Sequence, residues 1–599
     1  MHYSRYVILF IFAIGLGINH ASQVDLSGIW ECRLDKWDDG EKENWFQSNT
    51  EINWQNISVP GSYNQHIWHA RHYQGPAWYR TSFKCPQTWP TEGQFQLTFL
   101  GAAIRCKAWL NGEFIGEHLF PYTQFQFDIS DAIKTNGDNV LVIKVDNEIL
   151  DMAIPDKEWD GWWNWGGINR EVYLQYRPPV RIDDFTLNTS LDKSRWQFRL
   201  STKIQNMVDK RKATLDVTLL DSSKNIFWQS SENIQLTPNE TTTEFNCEFS
   251  EVTPWSPKHP YLYTVKIQIK DGEKIIHQEE HQFGFRHIAV NSSQIFLNGA
   301  PFRVRGICRH EMYPGRGSTV PRAQTQRDLL DIKKLGCNFV RTTHYSQHPH
   351  FYEMCDKLGL LVWDEIPAWK TSLTSLSSDS VWHTYGAPQL SEMVNQNKNR
   401  TCVVVWSVGN EFDSHKPAGQ DYVQRATNYV RQLDSSRLVS FASDKHKPGT
   451  IDSSFACADF IAINEYYGWY YGSIHDIGPA LDRLHRQWPN KPILVSEFGC
   501  GTVPGLYNPD PPESGKDYSE DYQIQFYKNH LDQIFDSSRS SYVSGGLIWV
   551  YNDFPDPHRY SNEHPAAALY QNCKGLVTQD RRPKPAYYLV EEFYNKLAK

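Results

Sequence analysis

Residues 403–412 read VVVWSVGNEF. Val403, Val404 and Val405 run into Trp406, Ser407, Val408 and Gly409 with no alternation of apolar and polar positions. A strand written this way is buried on both faces, the pattern of a parallel sheet covered by helices. It then ends in Asn410 and Glu411. An amide and a carboxylate at that point need a reason.

Seven further runs of the same kind surround it: FRVRGICRH (302–310), NFVRTTH (338–344), LLVWDEIP (360–367), RLVSFAS (437–443), FIAINEYYG (460–468), PILVSEFG (492–499) and SGGLIWVYND (544–553). Helical patterns lie between them, among them AQTQRDLLDIKKLG (323–336), PHFYEMCDKLG (349–359) and QLSEMVNQNKN (389–399). Eight apolar strands separated by helical patterns predict a (β/α)8 TIM barrel over residues 291–599. The C-terminal strand ends of such a barrel open into its catalytic face. Polar residues stand there on nearly every strand: Arg309, His310 and Glu311; Arg341 to His344; Asp364 and Glu365; Asn410 and Glu411; Asn464 to Tyr467; Glu497; and Trp549. A lone Glu after a strand is ordinarily a structural ion pair or a charge at a helix start. Seven strand ends converging on one face are hard to assign to stability alone.

Upstream the texture is different. Residues 22–180 hold short alternating runs such as FQLTFLGAA (95–103), CKAWLNGEFIGEH (106–118) and NVLVIKVDN (139–147), with a hairpin turn at Asn111-Gly112. These predict a jelly-roll-like β-sandwich without a helix of useful length. RPPVRIDD (177–184) reads as a linker. Residues 181–290 hold plainer alternating strands, WQFRLSTKI, KATLDVTLLD and YLYTVKIQIKD, which suit an immunoglobulin-like β-sandwich acting as a spacer.

Composition sets limits. A chain of 599 residues is too long for one core, and its net charge of −9 without a basic stripe argues against nucleic acid as a partner. Trp is abundant at 22 residues, which serves sandwich and barrel packing and also offers flat faces for sugar rings. The 11 Cys are scattered without CxxC pairs, so neither a disulfide framework nor a zinc site is expected, and most should be buried thiols. The N-terminus reads as a signal peptide over residues 1–21: His2 and Arg5, an apolar stretch from Tyr6 to Ile18, and a small residue, Ala21, for cleavage. The stretch is short for a membrane span, so the expectation is an exported bacterial protein, periplasmic or secreted, with no integral span after cleavage. Self-association as a homo-oligomer is left open.

Glu411 and Glu497 stand after the fourth and seventh strands, which can face each other across a barrel mouth. A carboxyl pair about 5 Å apart is the arrangement of retaining glycosidases, one group acting as acid/base and the other as nucleophile. Glu411 would need a raised pKa; Glu497 would have to stay ionised, with Arg341 as the candidate guanidinium beside it. Arg341 equally suits an ion pair with Asp364 or Glu365.

The chain resembles glycoside hydrolase family 2, and within it the β-glucuronidases. GPAWYRTSF (75–83), WLNGEFIGEH (109–118) and WGGINREVYL (165–174) resemble the family's sugar-binding sandwich. FGFRHIAV (283–290), FLNGAPFRVRGICRHE (296–311), VRTTHY (340–345), VVVWSVGNEF and ILVSEFG (493–499) resemble its second sandwich and barrel. The resemblance implies a retaining mechanism with Glu411 as acid/base and Glu497 as nucleophile, Asn410 on the sugar 2-OH, an oligosaccharide or glycoconjugate substrate, and no organic cofactor. NEYYGWYYG (464–472) is similar to the motif carrying a tyrosine beside the nucleophile, with Tyr466 in that place and Tyr470 further along. His310 and Trp549 are expected to line the same site. Asn572 and Lys574 in QNCKG match an Asn-x-Lys signature that binds the C6 carboxylate of a uronic acid, where an ammonium and an amide recognise what a neutral hexose lacks. Lys574 also fits a surface lysine before the turn at Gly575. The stretch 550–571 is longer than in typical members; Arg559 is its only candidate for a further carboxylate contact, and His558 and His564 fit solvated loop positions. A β-galacturonidase would use the same signature, and a neutral-sugar β-galactosidase or a non-catalytic carbohydrate-binding protein are the remaining alternatives.

Overall fold

The computed structural model describes residues 22–47, 52–156, 161–557 and 570–598. The signal-peptide expectation falls on residues 1–21, outside them. The first sandwich packs a four-stranded antiparallel sheet against a six-stranded one. Its strands Arg105–Leu110 and Glu113–His118 are joined through Asn111 and Gly112, at φ 55° and 89°, the doubly left-handed turn that fits strand twist and that an Asn-Gly pair adopts readily. A core of Trp30, Tyr79, Leu97, Phe99 and Ile143 lies between the sheets. Strand Val172–Arg177 then gives way, across Pro178 and Pro179, to strand Val180–Asp192 of the second sandwich, a three-stranded sheet facing a four-stranded one.

The eight predicted strands close into a parallel barrel: Val304–Cys308, Phe339–Arg341, Leu361–Glu365, Val403–Asn410, Leu438–Ser443, Ile461–Asn464, Ile493–Phe498 and Val543–Ile548. The fourth strand is buried at every position, as its unbroken apolar text requires. Long helices follow most strands, including Arg322–Lys334, Pro349–Leu358, Ala387–Asn397, Pro417–Leu433, Ile477–Gln487 and Glu520–Ile534. The alternation lapses once. Between the fifth and sixth strands there is only the short 3-10 turn Ser453–Ala456, because Pro448, Gly449 and a run of Asp and Ser interrupt any apolar period of 3.6.

The sandwiches are fastened to the barrel. The barrel core continues without a break into Tyr122, Trp162, Trp163 and Trp165 of the first sandwich. Arg170 is buried at the junction, where it pairs with Glu311 at 2.7 Å and donates to the carbonyls of Tyr122 and Ser346. At the other end of the barrel, Arg286 of the second sandwich donates to the carbonyls of Thr401 and Val403, which braces the start of the fourth strand. All 11 cysteines are free thiols, eight of them buried.

Candidate active site

Arg341, at the end of the second strand and fully buried, is the hub of the barrel mouth. Its Nη1 donates to Glu497 Oε1 at 2.9 Å, and its Nη2 donates to Glu365 at 2.9 Å and to Asn410 Oδ1 at 2.7 Å. The two pairings open to Arg341 in the sequence are thus both made, with Glu365 and with Glu497. Asp364 is occupied elsewhere, by Thr342, Ser346, Tyr352 and Asn397. Burial works against the charge on Arg341, but Glu365 and Glu497 outweigh it and hold the guanidinium protonated. Glu365 also accepts from Ser407 Oγ at 2.6 Å and from His344 Nδ1 at 2.7 Å.

Glu411 sits one residue past the fourth strand at φ 55°, a left-handed conformation uncommon for a side-chain-bearing residue. The surrounding ladder holds it there: Glu411 N–H donates to Ala442 O, Asn410 N–H to Ala368 O, and Lys370 N–H to Asn410 O. Gly409, at φ 146°, allows the strand to turn, and a Cβ there would lie 2.7 Å from Ala368 O. Backbone strain held by its neighbours is a mark of functional positions. Asn464 Nδ2 donates both to Glu411 Oε1 at 2.8 Å and to Asn410 Oδ1 at 2.9 Å. Glu497 has a second donor in the Tyr466 hydroxyl, 2.8 Å from Oε2.

Removal from water raises the pKa of both carboxyls. Glu411 is pushed up by burial and then by the charge of Asp444, against the pull of Lys370. Glu497 is pushed up to about 8 by burial, with Glu411 adding to the rise and Arg341 and Tyr466 opposing it. Taken alone, that value would leave Glu497 protonated at neutral pH. Glu411 and Glu497 act on each other through their charges, however, and the question is which of them better holds a proton. Glu497 receives a guanidinium at 2.9 Å and a phenol at 2.8 Å, both of which favour its anion. Glu411 receives one amide, and its nearest cation, Lys370, is 3.9 Å away. The proton therefore belongs on Glu411 and the negative charge on Glu497.

Lys574 is not a surface lysine. It is 2% exposed, donates to Tyr470 Oη at 2.8 Å, and lies 5.1, 5.8 and 5.8 Å from the ring centres of Tyr470, Tyr466 and Trp469. Among the described residues no carboxylate forms an ion pair with it. Asn572, also buried, accepts from Lys574 N–H at 3.2 Å. The two-residue strand Gln571–Asn572 pairs with Phe554–Pro555. Lys584 holds this corner from below, bonded to Asp553 Oδ1 at 2.8 Å and to the carbonyl of Cys573 at 2.9 Å. Arg559, His558 and His564 lie outside the described residues.

The wall of the site is aromatic. His310 is fully buried, packs 4.1 Å from the Phe554 ring centre and 5.5 Å from that of Trp549, and has no hydrogen-bond partner for either ring nitrogen among the described residues. Burial and the neighbouring His344 keep its ring neutral. Trp549 stacks on His344 at 5.4 Å. Trp162 reaches in from the first sandwich, 5.5 Å from His344, and Trp369 packs against both. Other strand-end residues are drawn away from the mouth: Arg309 pairs with Asp328, Glu311 with Arg170, and Glu465 with His530. Sequence reasoning missed Trp162, Trp369, Lys370 and Asp444. Asp444 directly follows the fifth strand, the one strand end passed over, and that position was the signal for it.

Among the described residues no cluster of His, Cys, Asp or Glu is arranged to hold a metal ion, and no helix is long and apolar enough to cross a membrane. The barrel mouth brings together two buried carboxyls, a guanidinium, a buried ammonium and an aromatic wall. Known proteins resemble the chain over nearly its whole length. The chain is 28% identical over 626 residues to human β-glucuronidase, covering 96% of this chain and 91% of that protein. Its fold superposes on Bacteroides uniformis β-glucuronidase 2, covalently bound to cyclophellitol-6-carboxylate aziridine, with TM-score 0.85 and 26% identity over 96% of this chain and 69% of that one. It also superposes on the Eisenbergiella tayi GH2 β-galacturonidase bound to galacturonate, with TM-score 0.82 and 25% identity over 96% and 97% of the two chains. Models of the sugar binding domain, of the glycosyl hydrolases family 2 domain and of the family 2 TIM barrel domain match residues 24–178, 180–286 and 288–599 in succession. With barrel, paired glutamates and all three domain models in agreement, the chain belongs to glycosyl hydrolases family 2, as a β-glucuronidase-like member.

Proposed function

We propose that the protein is a retaining, exo-acting β-uronidase that releases a terminal β-linked glucuronic acid from an oligosaccharide or glycoconjugate. The observation that carries the uronate is Lys574, a buried ammonium without a carboxylate partner among the described residues, beside the tyrosine that touches Glu497. An ammonium held in that state is costly unless an anion completes it. A sugar C6 carboxylate supplies the anion, and Asn572 adds an amide.

Glu497, ionised and aimed by Arg341 and Tyr466, attacks the anomeric carbon while Glu411 protonates the departing oxygen. The glycosyl–Glu497 ester is then opened by water, with Glu411 now taking the proton, and the two inversions restore the β-configuration. Asn410 Nδ2 is buried without a partner among the described residues and supports a hydrogen bond to the sugar 2-OH. The aromatic wall of Trp162, Trp549 and Phe554 suits an enclosed terminal sugar. The N-terminal apolar stretch supports export. Nitrophenyl β-glucuronide, β-galacturonide and β-galactoside assayed side by side test the reading: turnover of the glucuronide above both others is expected, and a preference for the galactoside would overturn it. The similar β-galacturonidase keeps the C4 epimer in view, since a C6 carboxylate is common to both sugars.

A further inference from the structure

Asn464 and Tyr466 hold the paired carboxyls: Asn464 Nδ2 donates to Glu411 at 2.8 Å, and the Tyr466 hydroxyl donates to Glu497 at 2.8 Å. Glu465 stands between them, and its side chain takes no part in the scheme above. Neighbouring side chains along an extended chain point to opposite sides, so two residues that reach the mouth send the one between them outward. Glu465 is fully buried all the same, against the helix Glu520–Ile534.

A carboxyl wholly removed from water is destabilising unless its oxygens are held. Glu465 Oε2 accepts the backbone N–H of Tyr467 at 2.9 Å, and Oε1 meets His530 Nε2 at 3.3 Å. Neither Oε1 nor Nε2 has a hydrogen-bond partner elsewhere among the described residues, so removing either group orphans the other. His530 is itself fully buried. Its Nδ1 donates to the carbonyl of Phe526 at 2.9 Å, and its ring stacks on Phe526 at 3.8 Å and on Phe498 at 6.0 Å. Phe498 is the residue after Glu497, and Glu465 N–H donates to the carbonyl of Glu497 at 2.9 Å. The contacts therefore close a circuit: the backbone of Glu497, Glu465, His530, Phe498 and back to Glu497. Tyr466 N–H adds a bond to Tyr471 Oη at 3.1 Å.

We infer that Glu465 is a positioning residue for both paired glutamates, with His530 as its anchor: the outward carboxyl holds the backbone from which Asn464 and Tyr466 reach Glu411 and Glu497. This rests on the double-displacement reading of that pair and is independent of which sugar is released. Without the carboxyl, Tyr467 N–H and His530 Nε2 lose their partner in a place closed to water, and the segment 464–467 shifts to find others. Both donors then move together. A displacement of about 1 Å at the reacting atoms costs about a hundredfold in rate. Lys574 and Asn572 belong to another segment, so the loss falls on turnover rather than on binding.

The test is kcat and KM of the full chain, with thermal unfolding, on whichever of the three nitrophenyl glycosides the wild type turns over best. The variants are Glu465→Leu, Glu465→Gln and His530→Phe. Leu fills the space and holds nothing. Gln offers an oxygen to Tyr467 N–H and an amide N–H to His530 Nε2. Phe keeps the stack on Phe498 and drops the contact. In Glu465→Leu kcat is expected to fall by about 10- to 100-fold with KM within about threefold of wild type. His530→Phe falls in the same direction, while Glu465→Gln keeps kcat within about threefold. The double variant Glu465→Leu/His530→Phe falls no further than Glu465→Leu alone, since the two act as one unit. Should Glu465→Leu not fold, His530→Phe against Glu465→Gln makes the same comparison. Wild-type kcat in the folded Leu and Phe variants, with only the melting temperature lowered, overturns the inference. Equal losses in Glu465→Gln and Glu465→Leu overturn it as well, because the held backbone is then not what matters. A wild type inert on all three glycosides overturns the double-displacement reading and this inference with it.

Discussion

Replacing Lys574 by Met tests the uronate reading most directly. The stem of the side chain stays, the ammonium goes, and the pocket formed by Tyr466, Trp469 and Tyr470 keeps its filling. Truncating one partner of a desolvated charge pair costs about 2–5 kcal/mol. At about 1.4 kcal/mol per factor of ten, kcat/KM on a β-glucuronide should fall by about 30-fold at the least and by several thousandfold at the most. The loss belongs to the uronide alone, since a neutral β-glucoside has no carboxylate to lose. The uronide-to-glucoside ratio should therefore fall by the same factor. The folded protein should not suffer: an ammonium without a carboxylate partner among the described residues is replaced by a thioether of similar length, so the melting temperature should hold or rise. The assay is kcat/KM on 4-nitrophenyl β-glucuronide and β-glucoside in parallel, with thermal unfolding of both proteins. Equal losses on the two substrates with an unchanged melting temperature would refute the assignment of Lys574 to the sugar carboxylate.

The paired glutamates make separate predictions. Glu497→Gln should lower turnover of every substrate by on the order of ten-thousandfold or more, because no glycosyl ester can form, and residual activity within a hundredfold of wild type would exclude it as nucleophile. Glu411→Gln should cost about 10²–10⁴-fold with alkyl or sugar leaving groups and far less with nitrophenol, since only the former need the proton; an equal loss for both contradicts the role. In an NMR time course the β-anomer should appear first, and early α-anomer would exclude a double displacement. Asp444→Asn removes a negative charge that raises the Glu411 pKa, so the basic limb of the pH–rate profile should move to lower pH; a limb that stays in place would show that Asp444 is screened from the acid.

The barrel was legible because strands buried on both faces have to be written in apolar residues, and each of the eight runs carried that mark. The paired glutamates and Arg341 were legible because strand ends fix their place to within a residue. What the remaining strand-end polar groups do was not readable from text alone. Arg309, Glu311 and Glu465 also stand at strand ends, one to three residues past the first and sixth strands, and their partners, Asp328, Arg170 and His530, hold them away from the mouth. Trp162 was out of reach for another reason: it is brought to His344 by the docking of one domain on another, and no local period encodes that. The character of Lys574 was likewise hidden. Its burial depends on Lys584 and Asp553 pulling the corner under the eighth strand, a contact between segments that the sequence places 31 residues apart.

The reach of Trp162 and Arg170 across the domain junction bears on how this enzyme can be cut, fused or recombined. A gene trimmed to begin near residue 288 would still encode every strand of the barrel. Its product would leave Glu311 without its guanidinium partner and would open the wall beside His310 and His344 to water. The sandwich is in that sense a plug, and the catalytic unit is a two-piece assembly encoded in one reading frame. Chimaeras that exchange barrels between relatives should keep residues 161–174 with the barrel they came with, since a foreign sandwich would bring a loop shaped for another mouth.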